Sequence, residues 1–232
     1  MVYNLKDEVN HLVKIYFIRH CEAEGNKAKI FQGSTDCDVS DKGARQLEYL
    51  NKRFENIHID KAIASPLKRA YKTALAAAEG KGLEVIADPD FTEIHGGFIE
   101  GMTFKKIFSD YAELERIWQE EPQNFAPDKG EPMRKVFDRA KKAIHKVAED
   151  PENEGKTILI ASHGAVTKCL MCYLVLGDVE RLIEIPWANN TAVSYIEYEK
   201  GKFEVKYYND DSHIPQDFST DVEKLWESEE EK

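Results

Sequence analysis

Two hydrophobic rhythms alternate along the chain. Short apolar runs rich in β-branched residues recur as "VKIYFIRH" (13–20), "KAIAS" (61–65), "LEVIA" (83–87) and "TILIASHG" (157–164). Between them lie segments with a helical period: "PLKRAYKTALAAAEG" (66–80), a long stretch from Met133, and "AVTKCLMCYLVLG" (165–177). Strands without in/out alternation must be covered on both faces, and helical crossovers between them make the strands parallel. The pattern therefore predicts an α/β fold of three layers, a mostly parallel sheet with helices on both faces. The late segment "TAVSYIEYEKGKFEVKYY" (191–208), with Glu199-Lys200-Gly201 at its middle, predicts instead a C-terminal antiparallel hairpin.

Two stretches break this rhythm. From about 97 to 131, Phe98, Phe104, Phe108, Tyr111, Trp118 and Phe125 stand among charges. This predicts a helical cap insertion over one edge of the sheet, its aromatics chiefly filling a small core of its own. The acidic tail, about 216–232, reads as a solvated end. Thr220 and Glu223 would form a capping box there, with Val222, Leu225 and Trp226 as the apolar side of a short helix. No repeat or low-complexity linker divides the chain, so residues 1–232 are expected to form a single domain.

Composition narrows the function classes. At 232 residues and 42% hydrophobic content the chain can bury a full core. A net charge of −11 argues against nucleic acid and against an anionic membrane surface as partners. The first residues carry acids early, and "CLMCYLVLG" (169–177) is too short to span a bilayer. A cytoplasmic, reducing setting follows as an expectation, with the four cysteines as thiols. In that setting "NNT" at 189–191 carries no glycan.

In open α/β sheets, ligands bind outside the carboxyl ends of the strands. Three such ends carry chemistry: Arg19-His20, Ser65 with Arg69 one turn into the next helix, and Ser162-His163-Gly164. Each alone has a structural explanation, but two histidines and two arginines on one edge point to an anion, with phosphate the natural candidate. One cation 4 Å from an anion contributes roughly 4 kcal/mol at an effective dielectric of 20, so close arginines outweigh the distant acidic surface.

At this point the chain resembles a known family. "RHCEAEGN", "SPLKRAYKTA", "FTEIHGGFIEGMTF", "KGEPMRKVFDRA" and "ASHGA" follow the order and spacing of the histidine phosphatase superfamily, the phosphoglycerate mutase-like proteins, from about Lys14 to about Tyr198. The resemblance implies phosphomonoester hydrolysis through a phosphohistidine, with no metal and no cofactor. By position, His20 resembles the nucleophile, Arg19, Arg69 and His163 the phosphate-binding ring, and Glu93 the general acid. Asn26 resembles a further phosphate or water ligand. Gln32 and Gly33 resemble a loop at the pocket mouth, and Gly164 joins them as substrate-binding. Neighbouring cations should push the His20 imidazole below its ordinary value of about 6.5, leaving a neutral ring nitrogen at pH 7. Glu100, in the loop of Glu93, is the reserve acid.

Cys21 departs from the family, which has glycine after the nucleophilic histidine, a residue that permits close approach and unusual dihedrals. "HCEAEGNK" also nearly matches the H-C-x5-R loop of cysteine-dependent phosphatases, but Lys27 cannot give the planar bidentate recognition of an arginine. Cys21 is therefore expected to be a bystander. Cys169 and Cys172 lie in an apolar helical pattern and read as packing rather than zinc ligands. Metal ligation by His20 and His163 is opposed by the adjacent Arg19. The expected partner is a small phosphorylated substrate of unspecified identity, and a homodimer stays open. Alternatives are a phosphoglycerate-type mutase, opposed by Ala165 after His163-Gly164 and by a cap without an arginine pair, and a phosphate-binding pseudophosphatase.

Overall fold

The computed structural model describes residues 11–220. The capping box and helix expected from Thr220 onward therefore fall outside the described residues beyond Thr220 itself.

The four apolar runs form β1 (Val13–Arg19), β2 (Lys61–Ala64), β3 (Val85–Ala87) and β4 (Thr157–Ser162), and the hairpin forms β5 (Val193–Glu199) and β6 (Lys202–Asp210). Among the described residues they make one six-stranded sheet in the order β3-β2-β4-β1-β5-β6. The pairs β1/β4, β2/β4 and β2/β3 are parallel, whereas β5 runs antiparallel to both β1 and β6. The strands lack polar alternation because both of their faces are covered. Ile158 and Ile160 face one apolar cluster and Leu159 and Ala161 the other, as do Ile63 against Ala62 and Ala64 on β2.

On one side pack α2 (Asp41–Phe54), through Leu50 and Phe54, and α3 (Lys68–Ala77), through Ala74 and Ala77. On the other pack α6 (Met133–Ala148) and α7 (Gly164–Leu176). Helix α6 buries Met133, Val136, Phe137, Ala140, Ala143, Ile144 and Val147, a stripe at helical spacing. The short α1 (Glu24–Lys27) follows the end of β1.

The cap consists of α4 (Phe104–Asp110) and α5 (Ala112–Glu120), flanked by single 3₁₀ turns at 97–99 and 122–124. Its aromatics do not form a separate core, contrary to the expectation. Phe104, Trp118 and Phe125 are buried in the same cluster as Ile160 and Val166, joined to the body through Phe31. Phe31 lies 6.0 Å from Phe125 and 5.8 Å from Trp118 between ring centroids. No helix among the described residues is long and apolar enough to cross a membrane.

Candidate active site

Register brings the histidines together. Arg19 stands opposite Ser162 in the parallel β1/β4 pair. The next residue on each strand, His20 and His163, therefore leaves the same sheet edge, and their ring centroids are 5.1 Å apart. Both are buried. His20 Nδ1 lies 2.6 Å from the Cys21 carbonyl oxygen. A carbonyl only accepts, so Nδ1 carries the hydrogen and Nε2 keeps its lone pair. The backbone around it is held from both sides: the His20 N–H donates to Ser162 O at 2.9 Å, and Asn190 Nδ2 donates to His20 O at 2.8 Å. His163 Nε2 meets Ser65 Oγ at 2.7 Å, and its Nδ1 is buried with no hydrogen-bond partner.

Burial is the first cause that holds both imidazoles well below their ordinary value, with Arg69 and then Arg19 adding to it at His20. The direction agrees with the sequence-based expectation, but desolvation outranks the cations. Both rings are therefore neutral at pH 7.

Arg19 ends β1, and Arg69 lies in the first turn of α3, which places both guanidinium groups at this edge. Arg19 Nη1 donates to Ala188 O. Arg69 donates from Nη1 to Thr35 O at 2.8 Å and from Nη2 to Gly33 O at 2.7 Å. The Nε–H of each arginine is buried and unpartnered. Three such orphaned nitrogens, counting His163 Nδ1, are unusual in one place, and an anion supplies the acceptors they lack. Burial brings Arg19 down to about 10, which still leaves it charged at neutral pH.

The two carboxylates expected as acids separate clearly. Glu93 reaches the start of α7, where its Oε2 accepts from the Ala165 N–H at 3.1 Å. The Coulombic influence of Glu93 leads that of the other charged groups on both Arg19 and Arg69. The N-terminus of α7 thus gives one of its free N–H groups to a side chain. Glu100, the reserve acid, is taken up by neighbouring backbone and hydroxyl donors. It accepts from Gly96 N at 2.7 Å, from Ser34 N and Oγ at 2.9 and 3.2 Å, and from Thr35 N and Oγ1 at 3.2 and 2.5 Å. Those bonds clamp the 33–35 loop, and they need Gly33. Its φ is +44°, and a Cβ there would come within 2.1 Å of Glu100 Oε1.

A cleft of about 60 Å³ opens between these groups and the cap, lined by Arg19, His20, Arg69, Glu93 and by Asn26, Gln32, Gly33 and Gly164. His163 lies beneath the lining, against Ser65. Asn26 Oδ1 accepts from the Ala23 N–H at 3.0 Å, which fixes the amide at the start of α1. Gln32 Oε1 is buried and unpartnered. Sequence reasoning missed the rest of the lining. Phe31 and Trp187 come from loops with no period to reveal them, and Trp118, assigned to the cap interior, also faces the cleft. Asn190, inside the dismissed "NNT", proves to brace His20.

Cys21 takes part through its backbone. Its N–H donates to Thr73 Oγ1 at 3.0 Å, and that hydroxyl donates to Arg69 O at 2.6 Å. Its φ is not in the left-handed region, so the position does not require glycine. The thiol is fully buried, and burial pushes it up to about 12, the opposite of an activated thiolate. Lys27, in the arginine's place of the rival motif, is exposed and lies 3.9 Å from Glu24. Cys169 and Cys172 are buried on α7, with sulfur contacts to Met133 O and Asp178 O.

Buried neutral histidines and half-satisfied arginines at a strand edge of this α/β fold leave donors open to an anion. Residues 15–211 match the histidine phosphatase superfamily (branch 1), and the chain belongs to that superfamily. It is 32% identical over 206 residues to phosphoserine phosphatase 1 of Hydrogenobacter thermophilus, covering 88% of this chain and 95% of the relative. It is 29% identical to a Cronobacter sakazakii protein named "Probable phosphoglycerate mutase GpmB", over 82% of this chain and 86% of that one. The solved structure of Bacillus stearothermophilus YhfR superposes with a TM-score of 0.81 at 31% identity, covering 87% of this chain and 99% of that one.

Proposed function

We propose that the chain hydrolyses phosphate monoesters through phosphorylated His20. The observation that carries this reading is His20 itself, a buried, uncharged imidazole with Nδ1–H tied to Cys21 O, beside two arginines whose Nε–H groups lack acceptors. In the proposed reaction Nε2 attacks phosphorus, the P–O ester bond breaks, and Glu93 gives its proton to the departing alcohol. Water then loses a proton to Glu93 and attacks phosphorus, and the P–N bond breaks to release phosphate. Arg19, Arg69 and His163 bind the equatorial oxygens, where charge is spread in the transition state. Gln32, Gly33, Gly164 and the Nδ2 end of Asn26 border the substrate.

Transfer to water rather than back to a second hydroxyl is supported by Ala165 after Gly164. Among the described residues the cleft lining also has no lysine or arginine beyond Arg19 and Arg69 with which to retain a bisphosphate. We take residues 1–232 as one domain in a cytoplasmic setting, a reading supported by four free cysteines and an acidic composition.

The test is a quench of the enzyme with alkaline detergent during turnover of an aryl phosphate in the presence of chelator. An acid-labile, base-stable phosphoenzyme mapped to His20 is expected, with His20→Ala losing both the adduct and turnover. Normal turnover by His20→Ala would overturn the reading.

A further inference from the structure

The floor and the walls of the cleft have opposite chemistry. The cations that line it, Arg19 and Arg69, lie at the phosphoryl end. His20, Asn26, Gln32, Gly33 and Glu93 also line it, and the apolar part of the lining is Ile30, Phe31, Ile94, Phe104, Trp118 and Trp187, with small contributions from Gly164 and Ala165. Among the described residues, no further lysine or arginine lines the cleft. Lys168 is buried nearby but does not line it. Its ammonium donates to Ile185 O and lies over the Trp187 ring at 5.1 Å.

The aromatic wall is packed against itself, which fixes its shape. Trp118 and Trp187 stack at 5.0 Å and 21°, Trp118 meets Phe125 edge-on at 4.8 Å, and Phe31 lies 5.9 Å from Phe104. Aromatic faces carry negative quadrupole potential, so a carboxylate held against them is both desolvated and repelled, whereas an apolar or aromatic group gains area and stacking.

On the reading that this site hydrolyses phosphate monoesters, we propose that its substrates are esters of an uncharged, apolar alcohol, and that the wall rejects carboxylate-bearing esters such as phosphoserine and phosphoglycerate. The wall is a specificity device separate from the phosphoryl floor. It also sets this chain apart from what the name of its phosphoserine phosphatase relative says of that protein.

Benzyl phosphate and phosphoserine test it, because both release a primary alkanol and their difference reports recognition of the alcohol rather than leaving-group reactivity. Benzyl phosphate is expected to show kcat/KM higher by at least about 10², the discrimination typical of an apolar pocket against a polar ligand. Trp187→Ala is expected to lower kcat/KM for benzyl phosphate about tenfold more than for methyl phosphate, since one truncated apolar contact is worth about that factor.

Calorimetric binding of the two methylene phosphonate analogues supplies a readout independent of turnover. If phosphoserine is turned over as well as benzyl phosphate, the proposal is overturned and the phosphatase reading stands. If neither ester is turned over but the benzyl phosphonate binds more tightly, the phosphatase reading falls and the apolar preference stands. If neither phosphonate binds and neither ester reacts, both fall.

Discussion

The His20 imidazole donates Nδ1–H to the main-chain oxygen of Cys21 at 2.6 Å, so the cysteine serves the proposed nucleophile with its backbone and keeps its sulfur out of the reaction. Because burial pushes that thiol up to about 12, native enzyme treated with iodoacetamide at pH 7.5 should keep its activity. Cys21→Ala should keep most of its turnover and lose about 1 kcal/mol of stability to the small cavity left behind. Loss of activity in step with alkylation of Cys21, mapped by peptide mass, would make sulfur the nucleophile instead.

Glu93 and Glu100 should separate by leaving group. Glu93→Gln is expected to slow hydrolysis of alkyl phosphates by roughly 10² to 10⁴, and that of 4-nitrophenyl phosphate far less, because nitrophenolate leaves without a proton. Glu100→Gln puts an amide donor among the N–H and hydroxyl donors of Ser34, Thr35 and Gly96. It should cost about 1 to 3 kcal/mol of stability while leaving the dependence on leaving group unchanged. A Brønsted plot across substituted phenyl phosphates checks both. A steeper slope for Glu100→Gln than for Glu93→Gln would exchange their roles.

Most of this architecture could be read from the chain because it rests on local pattern. The runs around Phe17, Ile63 and Ile160 are apolar on both sides, and only a sheet buried on both faces makes use of that. The strand ends then follow, and with them Arg19, His20, Arg69 and His163. The unread part depends on long-range placement. Glu93 ranks ahead of Glu100 in sequence by resemblance alone, and only the fold brings Glu100 onto the 33–35 loop and Glu93 onto the start of α7. Trp187 and Asn190 come from a loop without period, and nothing short of the β1/β5 pairing brings Asn190 beneath His20.

Acid should destabilise the fold earlier than its carboxylates alone would. His20 and His163 are held well below 6.5, and burial brings His213, beside Arg53, to about 4. Below 6.5 the unfolded chain binds protons that the folded chain does not, so stability is complete above that pH and declines as pH falls toward the depressed folded values. Melting temperature should therefore drop between pH 6.5 and 5, and drop less in His20→Asn. An identical pH profile for the variant would mean that the His20 imidazole is not kept neutral in the folded protein.

The central position of β1 has a consequence for how the molecule is made. His20 is synthesised well before its partners: the strand that ends beside it pairs with residues 157–162 on one side and 193–198 on the other, and Asn190 lies 170 residues downstream. Ribosomal emergence therefore exposes an apolar strand long before either neighbour exists. Pairing over such sequence distances folds slowly and leaves an unpaired strand open to association. The site around His20 cannot assemble until Asn190 has been made.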